Sequence, residues 1–236
     1  MIRTGIIEVT RQVEQQVVDA FGLTPVEISP ELARRHGEFR GGRIVIESSM
    51  YRGNRIRNAR FAVVYGETLE IGNILCVPDP DFVVPILGAD LVAVRESSVM
   101  VAADLSPVSS VESDHVDQFQ RLARFRESSP ELPSGGELPE WAKLLFSPHA
   151  LYTRVGLDQA TDAFEALNVF PARFIEELQM ADAQLDRRVE ISRSQGHYSN
   201  VHRADDKGLR LLGAMFGMEW AQRYLEEFLF PPEDIL

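Results

Sequence analysis

The sequence has a single cysteine, Cys76. One thiol excludes an internal disulfide and any cluster built on several cysteines. No apolar run reaches the roughly 18–20 residues of a membrane span. The N-terminus, MIRTGIIEVTRQVEQQ, turns polar too early for a secretion signal. Basic residues are the minority, 24 against 36 acidic ones, for a net charge of −12. That balance argues against duplex nucleic acid, whose phosphates need a basic footprint. There is no G-x-G-x-x-G after a strand and no G-x-x-x-x-G-K-[ST], so the usual glycine cradles for nucleotides are missing. H-E-x-x-H, C-x-x-C and G-x-S-x-G are missing too. Of the five histidines only His197 and His202 are close in sequence, and their spacing does not share a helix face, which argues against a metal pair. No metal site is expected. If the chain is an enzyme, the hard chemistry belongs to its substrate or to a separate electron carrier.

What is present is a chain of 236 residues, 44% apolar, read as one cytoplasmic globular domain, 1–236. Residues 6–22 carry Ile6, Val9, Val13, Val17 and Phe21 at helical spacing, with Gly22 as a C-cap. Thr24-Pro25 and Ser29-Pro30 mark a loop. Strands are expected over 43–48, 57–65 and 68–77, then a hairpin over 85–108. Its arms are Ala89–Val94 and Val99–Leu105, joined by Arg95-Glu96-Ser97-Ser98. Closely spaced strands with short turns argue for an antiparallel meander rather than βαβ units. Beyond it come a helix over 115–127, a Ser/Pro/Gly-rich loop, a helical turn at Trp141–Phe146, and a strand over 150–155. Helices over 157–167, 170–195 and 206–230 complete the chain. The expected class is α+β, a sheet covered by helices on both faces.

Two features of this outline invite chemistry. Asp90 lies inside an apolar strand, where an ionised carboxylate is costly unless it is paired or protonated. It is either a satisfied structural carboxylate or a proton donor facing a pocket. Between Arg34 and Arg60 the sequence has eight arginines against Glu38 and Glu47, a local charge of about +6 in an acidic chain. That segment is either a solvated strand face or a docking patch for an acidic partner. Asp205-Asp206 precede an apolar helical stripe and read, on pattern alone, as helix capping.

The segments GRIVIESSMYRG, LEIGNILCVPDPDFVVPILGADLV, VAADLSPV, GELPEWAKLLFS and ADDKGLRLLGAMFGMEWAQRYLEEFLF resemble the ferredoxin-dependent bilin reductases, and most nearly those that form phycocyanobilin. The resemblance runs from about residue 43 to the end. It implies a three-layer α/β/α sandwich with a central antiparallel sheet. It also implies biliverdin IXα as substrate, reduced ferredoxin as electron donor, no tightly bound cofactor, and a radical mechanism in a monomer. Asp90 matches the family's central aspartate and Asp206 the second one, on the helical side. Lys207 matches a propionate-binding position. By charge alone, arginines of the 52–60 cluster, Arg57 among them, are further candidates. Phe61 and Leu87 are expected at the substrate. Ferredoxin is expected at the Arg34–Arg60 region, since at physiological salt only charges within about 8 Å of a partner matter much. Asp104, in the DLSP motif, reads as structural. Cyanobacterial phycocyanobilin-forming members pair the central aspartate with a histidine and a nearby glutamate. Counting back from Asp90 without gaps puts Asn73 and Phe61 at those two positions. Phycocyanobilin is the expected product. The alternatives are 15,16-dihydrobiliverdin or phycoerythrobilin, or a bilin carrier without turnover.

Overall fold

The structure, a computed structural model, describes residues 4–94, 97–109, 112–204 and 206–231, without the side chains of Glu112, Ser113 and Asp206. Arg95 and Glu96 of the expected hairpin turn, and Asp205, lie outside the described residues.

The meander expected from the strand spacing forms the centre. Strands β1 (Thr24–Pro25), β3 (Gly42–Gly53), β4 (Ile56–Gly66), β5 (Leu69–Pro78), β6 (Ile86–Val94), β7 (Val99–Ser106) and β8 (Leu151–Val155) run in that order across one sheet. An eighth strand, β2 (Arg34–Phe39), follows the short helix α2 (Pro30–Ala33) and pairs with β3 off this path, and the pairings are antiparallel. The inner strands lack polar alternation because both faces of the sheet are covered; β4 is buried almost from end to end.

One face packs against α1 (Ile6–Phe21), α3 (Val116–Glu127) and α5 (Ala160–Met180). Ile6, Val13 and Val17 of α1 and Phe164, Leu167, Phe170 and Phe174 of α5 fill this core. The other face carries α6 (Arg188–Ala204), α7 (Asp206–Phe216), α8 (Met218–Arg223) and a π-helical turn over Tyr224–Leu229, with α4 (Glu140–Leu145) at one end. The architecture is the three-layer α/β/α sandwich with a central antiparallel sheet.

Several boundaries differ from the sequence expectation, each for a physical reason. Residues 24–25, expected in a loop, and residues 34–39 both join the sheet, because β4 pairs along only one edge of β3 and its other edge is open to them. In place of the break expected near residue 168, α5 is continuous and holds Pro171 inside it. The apolar stripe from Ala163 to Leu178 offsets the hydrogen bond that the proline removes. The expected helix over 170–195 stops at Met180, where Arg55 binds the carbonyls of Leu178 and Ala181 at 2.6 and 2.9 Å. These are carbonyls that a helix end leaves without partners. The last expected helix is divided at Gly217, whose φ of 93° is open to glycine and strained for other residues.

Candidate functional site

Register decides the site. Across four neighbouring strands, Ala62, Asn73, Asp90 and Ala102 are successive Cα partners, so their side chains share the face toward α6. The two polar members meet in the middle of this rung. Asn73 Nδ2 donates to Asp90 Oδ1 at 2.8 Å. Alanine on either side leaves open space above the pair.

That space is a cavity of about 770 Å³, including its mouth. Its floor is Asn73, Leu75, Gly88, Asp90 and Ala102; its walls are Trp141, Phe146, Tyr198, His202, Gly208, Leu229 and Phe230. Gly88 makes room there, since a Cβ would lie 2.9 Å from the Tyr198 hydroxyl. Helix α6 can therefore come down onto β6 two residues from Asp90. One helical turn later, His202 stands beside Tyr198 with ring centroids 4.5 Å apart.

Burial pushes the Asp90 carboxyl above the ordinary carboxylate range, and the Asn73 amide offsets part of the rise by stabilising the charged form. Burial also raises the Tyr198 phenol, an effect that Asp90 and Asp104 reinforce. The His202 imidazole is pulled down to about 4 by burial. The cavity thus favours neutral forms of its titratable groups.

Asp104 belongs to a different arrangement. Its carboxylate accepts from Ser147 Oγ at 2.6 Å, from the Ser147 N–H at 2.8 Å and from Ser106 Oγ at 2.9 Å. Burial still raises its pKa to about 6. These bonds hold the chain after α4 against β7 and so place Phe146 in the cavity wall.

The other expected site residues fall in several places. Lys207 is exposed, next to Gly208 in the cavity wall. Asp206 is the first residue of α7, and its side chain lies outside the described residues. Arg57 is directed toward Ser192 Oγ and Gln195 Oε1 of α6, at 3.4 and 3.3 Å, and lines a separate cleft with Arg52, Asp79 and Arg188. Phe61 and Leu87 correct the sequence expectation. Both are buried on the opposite face, in the core beneath α1 and α5, with exposures of 0% and 1%. The reason is the two-residue period of a strand: the partner of Asn73 is Ala62, not Phe61, and Leu87 is three residues from Asp90.

The arginine segment does not form one outward face either. Arg60 is fully buried, donating to Asn58 Oδ1 at 2.6 and 3.0 Å and to the Phe228 carbonyl at 2.9 Å; burial lowers its pKa to about 9. Arg35 lies over the Trp220 ring at 5.5 Å. Arg34, Arg40 and Arg43 remain exposed around the β2–β3 hairpin, with Arg34 and Arg43 near Glu47 and Glu67.

Sequence reading missed the aromatic walls and His202 as a cavity residue. Tyr198 and His202 carry a faint signal, an i,i+4 pair on one helix face. Nothing local announces that this face covers the sheet.

Fold and site together define a class: an α/β/α sandwich whose aromatic-walled cleft presents a carboxyl and an amide, paired on the sheet, as its polar floor. The chain matches the family model described as ferredoxin-dependent bilin reductase over residues 10–231, and it belongs to that family. It is therefore a ferredoxin-dependent bilin oxidoreductase, of a family whose electron donor is reduced ferredoxin. It is 33% identical over 192 residues to a phycoerythrobilin:ferredoxin oxidoreductase of Parasynechococcus marenigrum, covering 77% of this chain and 72% of that relative. It is 25% identical over 229 residues to a phycocyanobilin:ferredoxin oxidoreductase of Prochlorococcus marinus, covering 94% and 90% of the two chains. The fold matches tomato phytochromobilin synthase, solved in complex with biliverdin, with a TM-score of 0.83 at 17% identity, over 94% of this chain and 82% of that one. No helix among the described residues is long and apolar enough to cross a membrane.

Proposed function

We propose that this chain reduces biliverdin IXα to phycocyanobilin, taking four electrons singly from reduced ferredoxin and matching them with four protons, as a cytoplasmic monomer of one domain. The observation that carries this reading is the hydrogen-bonded Asn73–Asp90 pair on the floor of an aromatic-walled cavity. A protonated bilin is a cation, which the Asp90 carboxylate stabilises. After an electron arrives, the same group in its acid form donates a proton to the radical. A carboxyl raised by burial can hold that proton nearer neutrality than an exposed one.

Asn73 cannot titrate. Its Nδ2 is committed to Asp90, while its Oδ1 is buried without a partner among the described residues. That oxygen suits a pyrrole N–H. Asp206, at the start of α7, is the second proton source in this reading, and Lys207 holds a propionate at the mouth. Acidic ferredoxin docks on the exposed arginines of the β2–β3 hairpin, where local sign outweighs the net charge.

A second product, phycoerythrobilin, is favoured by the 33% identity to a phycoerythrobilin-forming relative and by the non-titrating Asn73 beside Asp90. Anaerobic incubation of biliverdin and reduced ferredoxin with the protein tests the reading. Spectral change through radical species is expected, and chromatography then separates the two products. A bound but unchanged biliverdin spectrum would make the chain a carrier and overturn the proposal.

A further inference from the structure

Six buried side-chain polar atoms among the described residues have no hydrogen-bond partner, and two of them belong to residues lining the cavity: Asn73 Oδ1 and His202 Nε2. Buried polar atoms are ordinarily paired, since one left without a partner loses its bonds to water and gains none in return. Elsewhere in the His202 environment nothing is left to chance. The ring is stacked on Phe230 at 4.7 Å with an interplanar angle of 8°, and flanked by Trp141 at 4.6 Å and Tyr198 at 4.5 Å. Three aromatic rings thus fix its orientation while offering its Nε2 no partner. A histidine kept only for packing would be better replaced by an apolar ring in such a box.

We propose that His202 is a substrate-positioning residue whose Nε2 hydrogen-bonds the bilin from the helical side, complementing Asn73 and Asp90 on the sheet. This rests on the bilin-reductase reading of the same cavity. The group recognised is a pyrrole N–H or a lactam carbonyl, depending on the tautomer. Burial keeps the imidazole neutral, so His202 presents one donor nitrogen and one acceptor nitrogen rather than a proton for catalysis. Its contribution is to the placement of the tetrapyrrole over Asp90, and hence to which carbon receives a proton.

The test measures biliverdin IXα binding by absorbance titration, thermal melting without ligand, and products after turnover with reduced ferredoxin. His202→Phe keeps the aromatic box and removes the nitrogen; His202→Leu is a second apolar variant, and His202→Gln restores a polar end. The expected results are about tenfold weaker binding for the Phe and Leu variants and binding within about threefold of wild type for Gln. The Phe variant should melt at or above the wild-type temperature, because the orphaned atom is gone. Products of the apolar variants should shift in isomer ratio. A Phe or Leu variant that folds and binds biliverdin as tightly as wild type, with the same products, overturns the proposal while leaving the enzyme assignment standing. Wild-type protein that fails to bind biliverdin at all overturns both.

Discussion

Asn73 and Asp90 are Cα partners on β5 and β6, and the amide of one donates to the carboxylate of the other at 2.8 Å. Their bond does two opposing things. It holds the acid in place above the sheet, and it favours the charged form that burial disfavours. Burial is the larger of the two influences, so the carboxyl holds its proton to a higher pH than an exposed one.

Replacing Asp90 with its amide removes the titrating proton. Asp90→Asn should bind biliverdin with affinity close to wild type and lose at least about 10²-fold in turnover, the usual scale of a lost acid. Absorbance titration and anaerobic turnover separate the two effects. Asp206→Asn is expected to stall at a partly reduced bilin; full conversion would leave it a helix cap.

Asn73 has no titratable group to offer beside Asp90. Asn73→His places a titratable ring against Asp90, and the pair would then share protons with apparent values belonging to both. Product chromatography should show a changed ratio of phycocyanobilin to phycoerythrobilin, and the pH profile of turnover should gain a new limb. An unchanged product mixture would remove residue 73 from regiochemical control.

Gly88 keeps the roof low. Gly88→Ala puts a methyl group 2.9 Å from the Tyr198 hydroxyl, so the ring or α6 must yield. Overpacking of this kind costs about 1–3 kcal/mol. A lower melting temperature together with weaker biliverdin binding is expected, and an additional Tyr198→Phe change should recover part of both.

The pH dependence of folding has a definite sign. His202 is lowered from 6.5 to about 4, so the unfolded chain takes up its proton first. Its contribution is complete above pH 6.5 and is lost as pH falls through 4, up to roughly 3 kcal/mol. Asp104, raised from 3.8 to about 6, runs the other way: its contribution is present below 3.8 and lost as pH rises through 6. The raised Asp90 carboxyl acts in the same direction as Asp104. The two directions oppose each other between pH 4 and 6 and flatten the wild-type curve. In denaturant titrations, the stability advantage of His202→Phe over wild type should therefore widen as pH falls from 7 to 4.

Ferredoxin docking can be tested at the β2–β3 hairpin. Arg40→Glu with Arg43→Glu should raise the KM for ferredoxin several-fold at low salt, with biliverdin binding unchanged. The difference should shrink as ionic strength rises.

Much of the molecule was legible in the chain itself. The meander, the flanking helices and the odd carboxylate at Asp90 follow from strand spacing and the cost of a charge among apolar neighbours. Asp104 read as structural, and three hydrogen bonds to Ser147 and Ser106 agree with that reading. The family followed from motif order, and the matched family model supports it. Tertiary structure decided what depends on register and on long-range covering. A count without gaps put Phe61 at the glutamate position near the central acid, whereas strand pairing puts Ala62 beside Asn73 and sends Phe61 to the other face. A shift of one residue reverses the facing of a strand side chain, and sequence alone does not specify that shift. Arg60 looked like part of a solvated basic face, yet it is buried because the π-helical turn over Tyr224–Leu229 folds over β4 and supplies the Phe228 carbonyl. His202 became a cavity residue only once α6 lay across β6, a contact between segments far apart in the chain. The sequence by itself determined the central meander, the presence of flanking helices and which acid is out of place. The packing of the C-terminal helices on the sheet determined what that acid faces.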